Sequence, residues 1–158
     1  MSKLRLTEIS EWTDKQRKLY GNYYDELWKI KSVISYYQRI KDLTIRQAQL
    51  VGEYQKAWGL FNSDKHFSAD ELGHMQEVYS GILESSVANL DQIMLVINSF
   101  KTQMTDEQRL ELINAAGNRL EENFTDLKQF NNQNLMLTLE RGKQQGDVNQ
   151  IKALYGIR

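Results

Sequence analysis

Residues 40–61 read IKDLTIRQAQLVGEYQKAWGLF, and the spacing of their apolar residues predicts a helix. A seven-residue repeat that places Ile9 at position a and Trp12 at position d runs from Ile9 to Phe61. It has apolar or aromatic residues at twelve of its sixteen a and d positions. That spacing is typical of a helix with one apolar face. We therefore expect a long helix over about 7–61, either unbroken or with a kink or break at Gly21 and Asn22, because glycine lowers helix propensity and asparagine competes for the backbone.

Two capping motifs mark the starts of further helices. In a capping box, the cap side chain and the side chain three residues later each bond the other residue's backbone N–H. We assign this motif to Ser68 with Glu71 and to Thr105 with Gln108. Phe67 and Leu72 flank the first pair as a hydrophobic staple. Helices are therefore predicted over about 69–103 and 106–145. The predicted core stripe of the second of these runs through Leu110, Ile113, Gly117, Leu120, Phe124, Leu127 and Phe130 and recovers at Leu135, Leu137 and Leu139.

A short fourth helix is predicted over about 148–155. Asp147 is its expected cap, Gln150 the partner in a capping box, and Gly156 the C-terminal stop. Short connections make neighbouring helices antiparallel. The predicted fold is all-α, an elongated antiparallel bundle of three long helices with a short C-terminal helix. Residues 1–158 are predicted to form a single helical domain.

Composition excludes several classes of protein. The chain has 158 residues, with 20 basic and 21 acidic residues and neither cysteine nor proline. The absence of cysteine excludes disulfides, thiol catalysis and cysteine zinc sites. A net charge of -1 with interleaved signs argues against direct nucleic-acid binding. The longest apolar stretches are far shorter than a membrane span, so no transmembrane segment is expected.

Residue chemistry alone predicts no catalytic, cofactor-binding or metal site. The two histidines, His66 and His74, lack the spacing of a zinc protease motif and are interpreted as solvated surface residues. Asp70 and Glu71 lie where carboxylates stabilise the positive end of a helix. Asn123 begins a glycosylation sequon by chance.

Aromatic residues are concentrated in the first segment. Tyr20, Tyr24 and Trp28 are spaced four residues apart and form a stripe that points partly away from the a/d face. The stripe is either a partner-binding surface or core that is covered by the later helices. The amide-rich segment 129–134 has two interpretations as well, a hydrogen-bonding contact surface or kink, and a solvated helix face.

Four stretches together resemble a known family: YYDELW at 23–28, HFSADEL at 66–72, VYSGIL at 78–83 and QMTDEQRL at 103–110. From about Leu19 to Arg158 the chain resembles the TraI-like conjugal transfer proteins of bacterial conjugative transposons, which are distinct from the relaxase of the same name. The resemblance implies a non-enzymatic structural or adaptor component of a conjugative, type IV secretion-like DNA-transfer apparatus. Its expected partners are other transfer proteins or a second copy of this chain.

The resemblance also implies a location. Family members carry a secretion signal and act at the cell envelope, so the periplasm or envelope is expected if a signal peptide was removed, and the cytoplasm otherwise. A cytoplasmic helical scaffold or regulator unrelated to conjugation is the alternative function. An enzyme is a distant third.

Overall fold

A computed structural model describes residues 8–11, 13–15, 18, 34–99 and 104–158. Four helices occupy the part from residue 34 onward: α1 (Ile34–Ser63), α2 (Ala69–Ser99), α3 (Asp106–Gln145) and α4 (Val148–Tyr155). The described residues between 8 and 18 are also helical, and no strand occurs in any of the described ranges. The expectation of an all-helical fold is confirmed.

Part of the predicted first helix cannot be compared with the structure. Residues 12, 16–17 and 19–33, including the expected break at Gly21, lie outside the described residues, as do residues 100–103 at the expected end of the second helix. Where it is described, α1 continues to Ser63, two residues beyond the predicted Phe61.

The capping boxes predicted at Ser68 and Thr105 are present. Ser68 N–H donates to Glu71 Oε1 at 3.0 Å, and Glu71 N–H donates to Ser68 Oγ at 3.2 Å. Thr105 and Gln108 make the same reciprocal pair at 3.0 and 3.2 Å. Gly156, the predicted stop, ends α4 with a left-handed φ of 68°. These local signals determine where α2 and α3 begin and where α4 ends.

The a/d face of α1 is the buried face. Six of its seven a and d positions in residues 40–61 are buried, and Trp58 is partly buried against the same core. Aromatic rings continue this core into the other helices: Tyr79 lies 5.0 Å from Tyr54 and 5.1 Å from Phe130, between ring centroids. Edge-to-face pairs at this separation add to the stabilisation from burial alone.

The predicted stripe of α3 is correct in the middle and wrong near both ends. Ile113, Leu120 and Leu127 are buried as expected. Leu110 and Leu137 were assigned to the same face, but their side chains are exposed by 45% and 38%. Near the end of α3 the inward position belongs instead to Thr138, because its hydroxyl donates a hydrogen bond to a buried carboxylate of the turn after α1.

A layer of neutral polar side chains crosses the middle of the core. Gln47 Nε2 donates to Ser86 Oγ at 2.7 Å, and Asn123 donates to Ser85 Oγ at 3.1 Å. Gln47 Oε1 and Asn89 Oδ1 are buried with no hydrogen-bond partner. We call Gln47, Ser86, Asn89 and Asn123 the amide layer. Buried amides without a partner cost stability, so this layer is a weak point in an otherwise apolar core.

Candidate functional site

The connection between α1 and α2 is a turn built around Asp64. Aspartate favours such turns because its carboxylate accepts the backbone N–H two residues later. Here His66 N–H donates to Asp64 Oδ1 at 2.9 Å, and Asp64 N–H donates to the Phe61 carbonyl at 3.1 Å. The turn therefore holds the Asp64 carboxylate inside the fold rather than in water.

Asp64 is buried and accepts hydrogen bonds from three parts of the chain. The Thr138 hydroxyl of α3 and the Tyr155 hydroxyl of α4 each donate to Oδ2 at 2.7 Å. The His66 ring nitrogen Nδ1 lies 2.7 Å from Oδ1. Burial acts to raise the pKa of Asp64, but the hydrogen bonds from Thr138, the His66 backbone, Tyr155 and the His66 ring together lower it. The buried carboxylate is thus held in its ionised form.

His66 lies between two carboxylates. Its other ring nitrogen, Nε2, is 3.0 Å from Asp147 Oδ2, and its side chain is only 3% exposed. The hydrogen bond with Asp64 raises the pKa of His66, burial opposes this effect, and Asp147 raises the pKa further. The interpretation of His66 as a solvated residue is therefore wrong, because α3 and the start of α4 return to cover the turn.

Asp147 precedes α4 as predicted, but it does not cap that helix. Its side chain makes no capping hydrogen bond, so the predicted box with Gln150 is absent. The carboxylate turns instead to His66 and to Lys65, whose Nζ is 3.4 Å away. The hydrogen bond from His66 is the main cause of the lowered pKa of Asp147. A charged imidazole is a stronger partner for a carboxylate than an orphan helix N–H.

Arg141 links α3 to the same turn and to the start of α2. Its guanidinium forms a two-pronged pair with Glu71, at 2.8 and 2.6 Å, and also donates to the His66 carbonyl at 2.7 Å. The Arg141 hydrogen bond lowers the pKa of Glu71 to about 2, and the Ser68 backbone N–H contributes to the same shift. Glu71 therefore serves the helix start, as expected, and also forms an ion pair that sequence analysis did not identify.

We call this set the polar junction; it consists of Asp64, His66, Glu71, Thr138, Arg141, Asp147 and Tyr155. The junction ties the end of α1, the start of α2, the end of α3 and α4 to one another. Its three carboxylates are paired with Arg141, with His66 and, on the exposed side, with Lys65, so the set links the helices through charge-assisted hydrogen bonds. Within the described ranges, no group of three or more histidine, cysteine, aspartate or glutamate side chains could hold a metal ion.

A groove of about 300 Å³ lies beside the polar junction, between α1 and α3. Apolar side chains form much of its lining, with Leu60 from α1, Leu135 from α3, and Tyr155 and Ile157 closing one end. Its polar lining residues are Glu53, Lys56, Lys128, Asn131 and Asn132. An apolar surface rimmed by polar groups is typical of a protein–protein contact or a ligand-binding groove.

The amide-rich segment 129–134 has one side chain bonded inside the fold and others exposed, and its role as a contact surface stays a prediction. Asn131 accepts a hydrogen bond from the Tyr79 hydroxyl at 2.5 Å and also lines the groove. Gln129 and Gln133 are exposed on the other side of α3. The side chain of Asn123, the sequon asparagine, is buried in the amide layer, so the folded chain does not present it for glycosylation.

The sequence-predicted partner surface, Tyr20, Tyr24 and Trp28, lies outside the described residues. Among the residues that are described, no helix has the length and apolar character needed to cross a membrane. In comparisons with known proteins, no family model, curated protein or solved structure matches this chain.

Proposed function

We propose that this protein is a non-enzymatic structural or adaptor component of a conjugative DNA-transfer apparatus, and that it acts through helix-face contacts. The link to conjugation rests on the resemblance of the two helix starts, at 66–72 and 103–110, to TraI-like transfer proteins. Its proposed location is the periplasm or cell envelope. Its proposed partners are other transfer proteins or a second copy of the chain.

The proposed architecture is an elongated antiparallel bundle of the three long helices. Three pairs of contacts support it, because residue numbers fall along α3 as they rise along α2: Glu71 with Arg141, Tyr79 with Asn131, and Ser85 with Asn123. The same reversal relates α1 to α2, where Gln47 contacts Ser86 and Phe61 contacts Phe67. At 1.5 Å per residue, the 40 residues of α3 span roughly 60 Å.

The observation that carries an adaptor role is the groove between α1 and α3. Its apolar lining suits a partner helix that inserts leucine-like side chains. Lys56 and Lys128, both exposed, give the lining two positive charges against the single negative charge of Glu53. We therefore propose that the occupant is an amphipathic helix of a transfer protein that carries carboxylates beside its apolar face.

The experiment is a mating assay with a donor strain that lacks the gene and is complemented by variants. Deletion should abolish transfer, and the native gene should restore it. Lys128→Glu reverses a charge at the groove and should reduce transfer. Lys143→Glu, which makes the same charge change at an exposed position of α3 away from the groove, should not.

Thermal melts of both variants check that the fold is intact. Unchanged transfer after deletion would favour a scaffold or regulator unrelated to conjugation. Equal transfer by the two lysine variants would exclude the groove as the contact surface. The partner-binding role of Tyr20, Tyr24 and Trp28 stays a prediction. The double variant Tyr24→Gln with Trp28→Glu tests it: if these residues bind a partner, the variant should lose DNA transfer and keep its thermal stability.

A further inference from the structure

The C-terminal segment, residues 147–158, is attached to the bundle by three side chains. Ile151 is buried against Gly142, where an added Cβ would lie 2.1 Å from its Cδ1 atom. The Tyr155 hydroxyl donates to Asp64. Asp147 bonds the His66 ring. Of these three attachments, the last depends directly on whether an imidazole carries a proton.

The contacts of the two His66 ring nitrogens, with Asp64 and with Asp147, respond differently when the ring loses a proton. A charged imidazole donates from both nitrogens, whereas a neutral one donates from only one and presents a lone pair at the other. The Asp64 side chain is 1% exposed and has no access to water as a substitute donor. The Asp147 side chain is 18% exposed and can be hydrated. The remaining N–H therefore stays on Nδ1, and the contact with Asp147 is the one that breaks.

We propose that the contact between His66 and Asp147 is a pH-dependent switch. When both ring nitrogens are protonated, His66 holds the start of α4 to the bundle, and when the ring is neutral, the C-terminal segment opens. This device concerns the fold itself, and it does not depend on the proposed role in conjugation. Asp64 and Asp147 both favour the charged ring, so α4 is held to the bundle at low pH and the C-terminal segment opens as the pH rises.

The charges around His66 come from every element that packs on the turn, and most of them are paired with each other. Arg141 is paired with Glu71, Lys65 contacts only Asp147 among the carboxylates of the junction, and the Tyr155 hydroxyl is bound to Asp64. Burial and the hydrogen bond to Asp64 raise the pKa of Tyr155, so its hydroxyl stays protonated as His66 titrates. His66 is therefore the junction group whose charge changes as the pH rises through its raised pKa.

NMR spectroscopy of the full chain tests the proposal directly. The protein has two histidines, so the variant His74→Gln identifies the His66 ring signal. Amide hydrogen exchange is measured in parallel from pH 6 to pH 9. The exchange rates of α4 are compared with those of the buried middle of α3, which removes the intrinsic pH dependence of amide exchange. Amides of α4 should lose protection with the same midpoint as His66, by up to about tenfold for each unit by which the measured pKa exceeds about 6.5.

Asp147→Asn removes the negative charge that pairs with the protonated His66 ring and leaves a side chain of the same shape. In this variant the titration of His66 should move to lower pH, and protection of α4 should no longer follow it. Asp70→Asn, an exposed carboxylate of the same region, is the matched control and should behave like the parent. If α4 protection in the parent keeps a constant ratio to α3 while His66 titrates, the proposal is wrong, whatever the variants do.

Discussion

The polar junction and the amide layer are both buried and polar, yet they are satisfied to different degrees. In the junction, Asp64 carries a full charge and receives four hydrogen bonds. In the amide layer, Gln47 and Asn89 carry no charge, and each has an oxygen without a donor. Burying a charge is acceptable when it is completely paired, while a half-satisfied neutral amide lowers stability. We therefore expect loss of Asp64 to destabilise the fold strongly, and replacement of the amide layer by apolar side chains to be tolerated.

Asp64→Ala should have the largest effect. It leaves the hydroxyls of Thr138 and Tyr155 and the His66 ring without their shared acceptor inside the protein. Removing one partner of a buried charged network costs about 3–5 kcal/mol. Urea denaturation of parent and variant measures the loss. A loss below about 1 kcal/mol would mean that the junction is no better satisfied than the amide layer.

The double variant Gln47→Leu with Ser86→Ala should change stability in the opposite direction. It replaces a buried pair and its orphan oxygen by apolar side chains of comparable or smaller size. Replacing both partners of a poorly satisfied pair is neutral to stabilising, so we expect a gain of about 1 kcal/mol in the free energy of unfolding. Denaturant melts give the value. A loss of more than about 1 kcal/mol would contradict the contrast between the two regions.

Ser68→Ala tests the edge of the junction rather than its centre. The variant loses the hydroxyl that accepts the Glu71 N–H at 3.2 Å, but Glu71 keeps its pair with Arg141. Loss of an N-cap typically costs about 1 kcal/mol. A thermal melt should show a lower midpoint with an unchanged helical spectrum. An unchanged midpoint of thermal unfolding would show that the ion pair between Glu71 and Arg141 alone fixes the start of α2.

Glu71→Gln should have the smallest effect, and the effect should depend on pH. The pKa of Glu71 is lowered to about 2 from 4.5, so its pair with Arg141 contributes stability above pH 4.5 and loses it as the pH falls toward 2. The pair is about a third exposed, and solvent screening limits the difference in the free energy of unfolding to roughly 0.2–1 kcal/mol. Parent and variant should differ in urea midpoint at pH 6 and converge at pH 2. A constant difference across that range would exclude titration of Glu71 as the cause.

The sequence is informative where structure is local. The heptad positions from Ile40 to Phe61 and the capping residues Ser68 and Thr105 act within a few residues of themselves, and their patterns predicted burial and helix starts correctly. Local patterns also predicted that Gln47 would lie on the a/d face, although not that Ser86 would be its partner.

The junction could not be predicted from local patterns. His66 and Asp147 are 81 residues apart, and Asp64 and Tyr155 are 91 residues apart. Asp147 has the spacing of an ordinary cap, and only the tertiary contact with His66 changes its role. The exposed position of Leu137 has the same origin, because burying the Thr138 hydroxyl against Asp64 turns the neighbouring leucine outward. The one local signal of the junction is Asp64, which precedes His66 by two residues in a short turn.

The long separation between partners in the junction has a consequence for the order in which the protein folds. The hairpin of α1 and α2 closes over a five-residue turn, but the contact of Asp64 with Tyr155 closes a loop of about ninety residues. Long loops close late because their entropy cost precedes the gain from contacts. The junction should therefore be absent from the folding transition state. Variants that weaken it will speed unfolding and leave the folding rate nearly unchanged, so the lifetime of the native state is set at this end of the molecule.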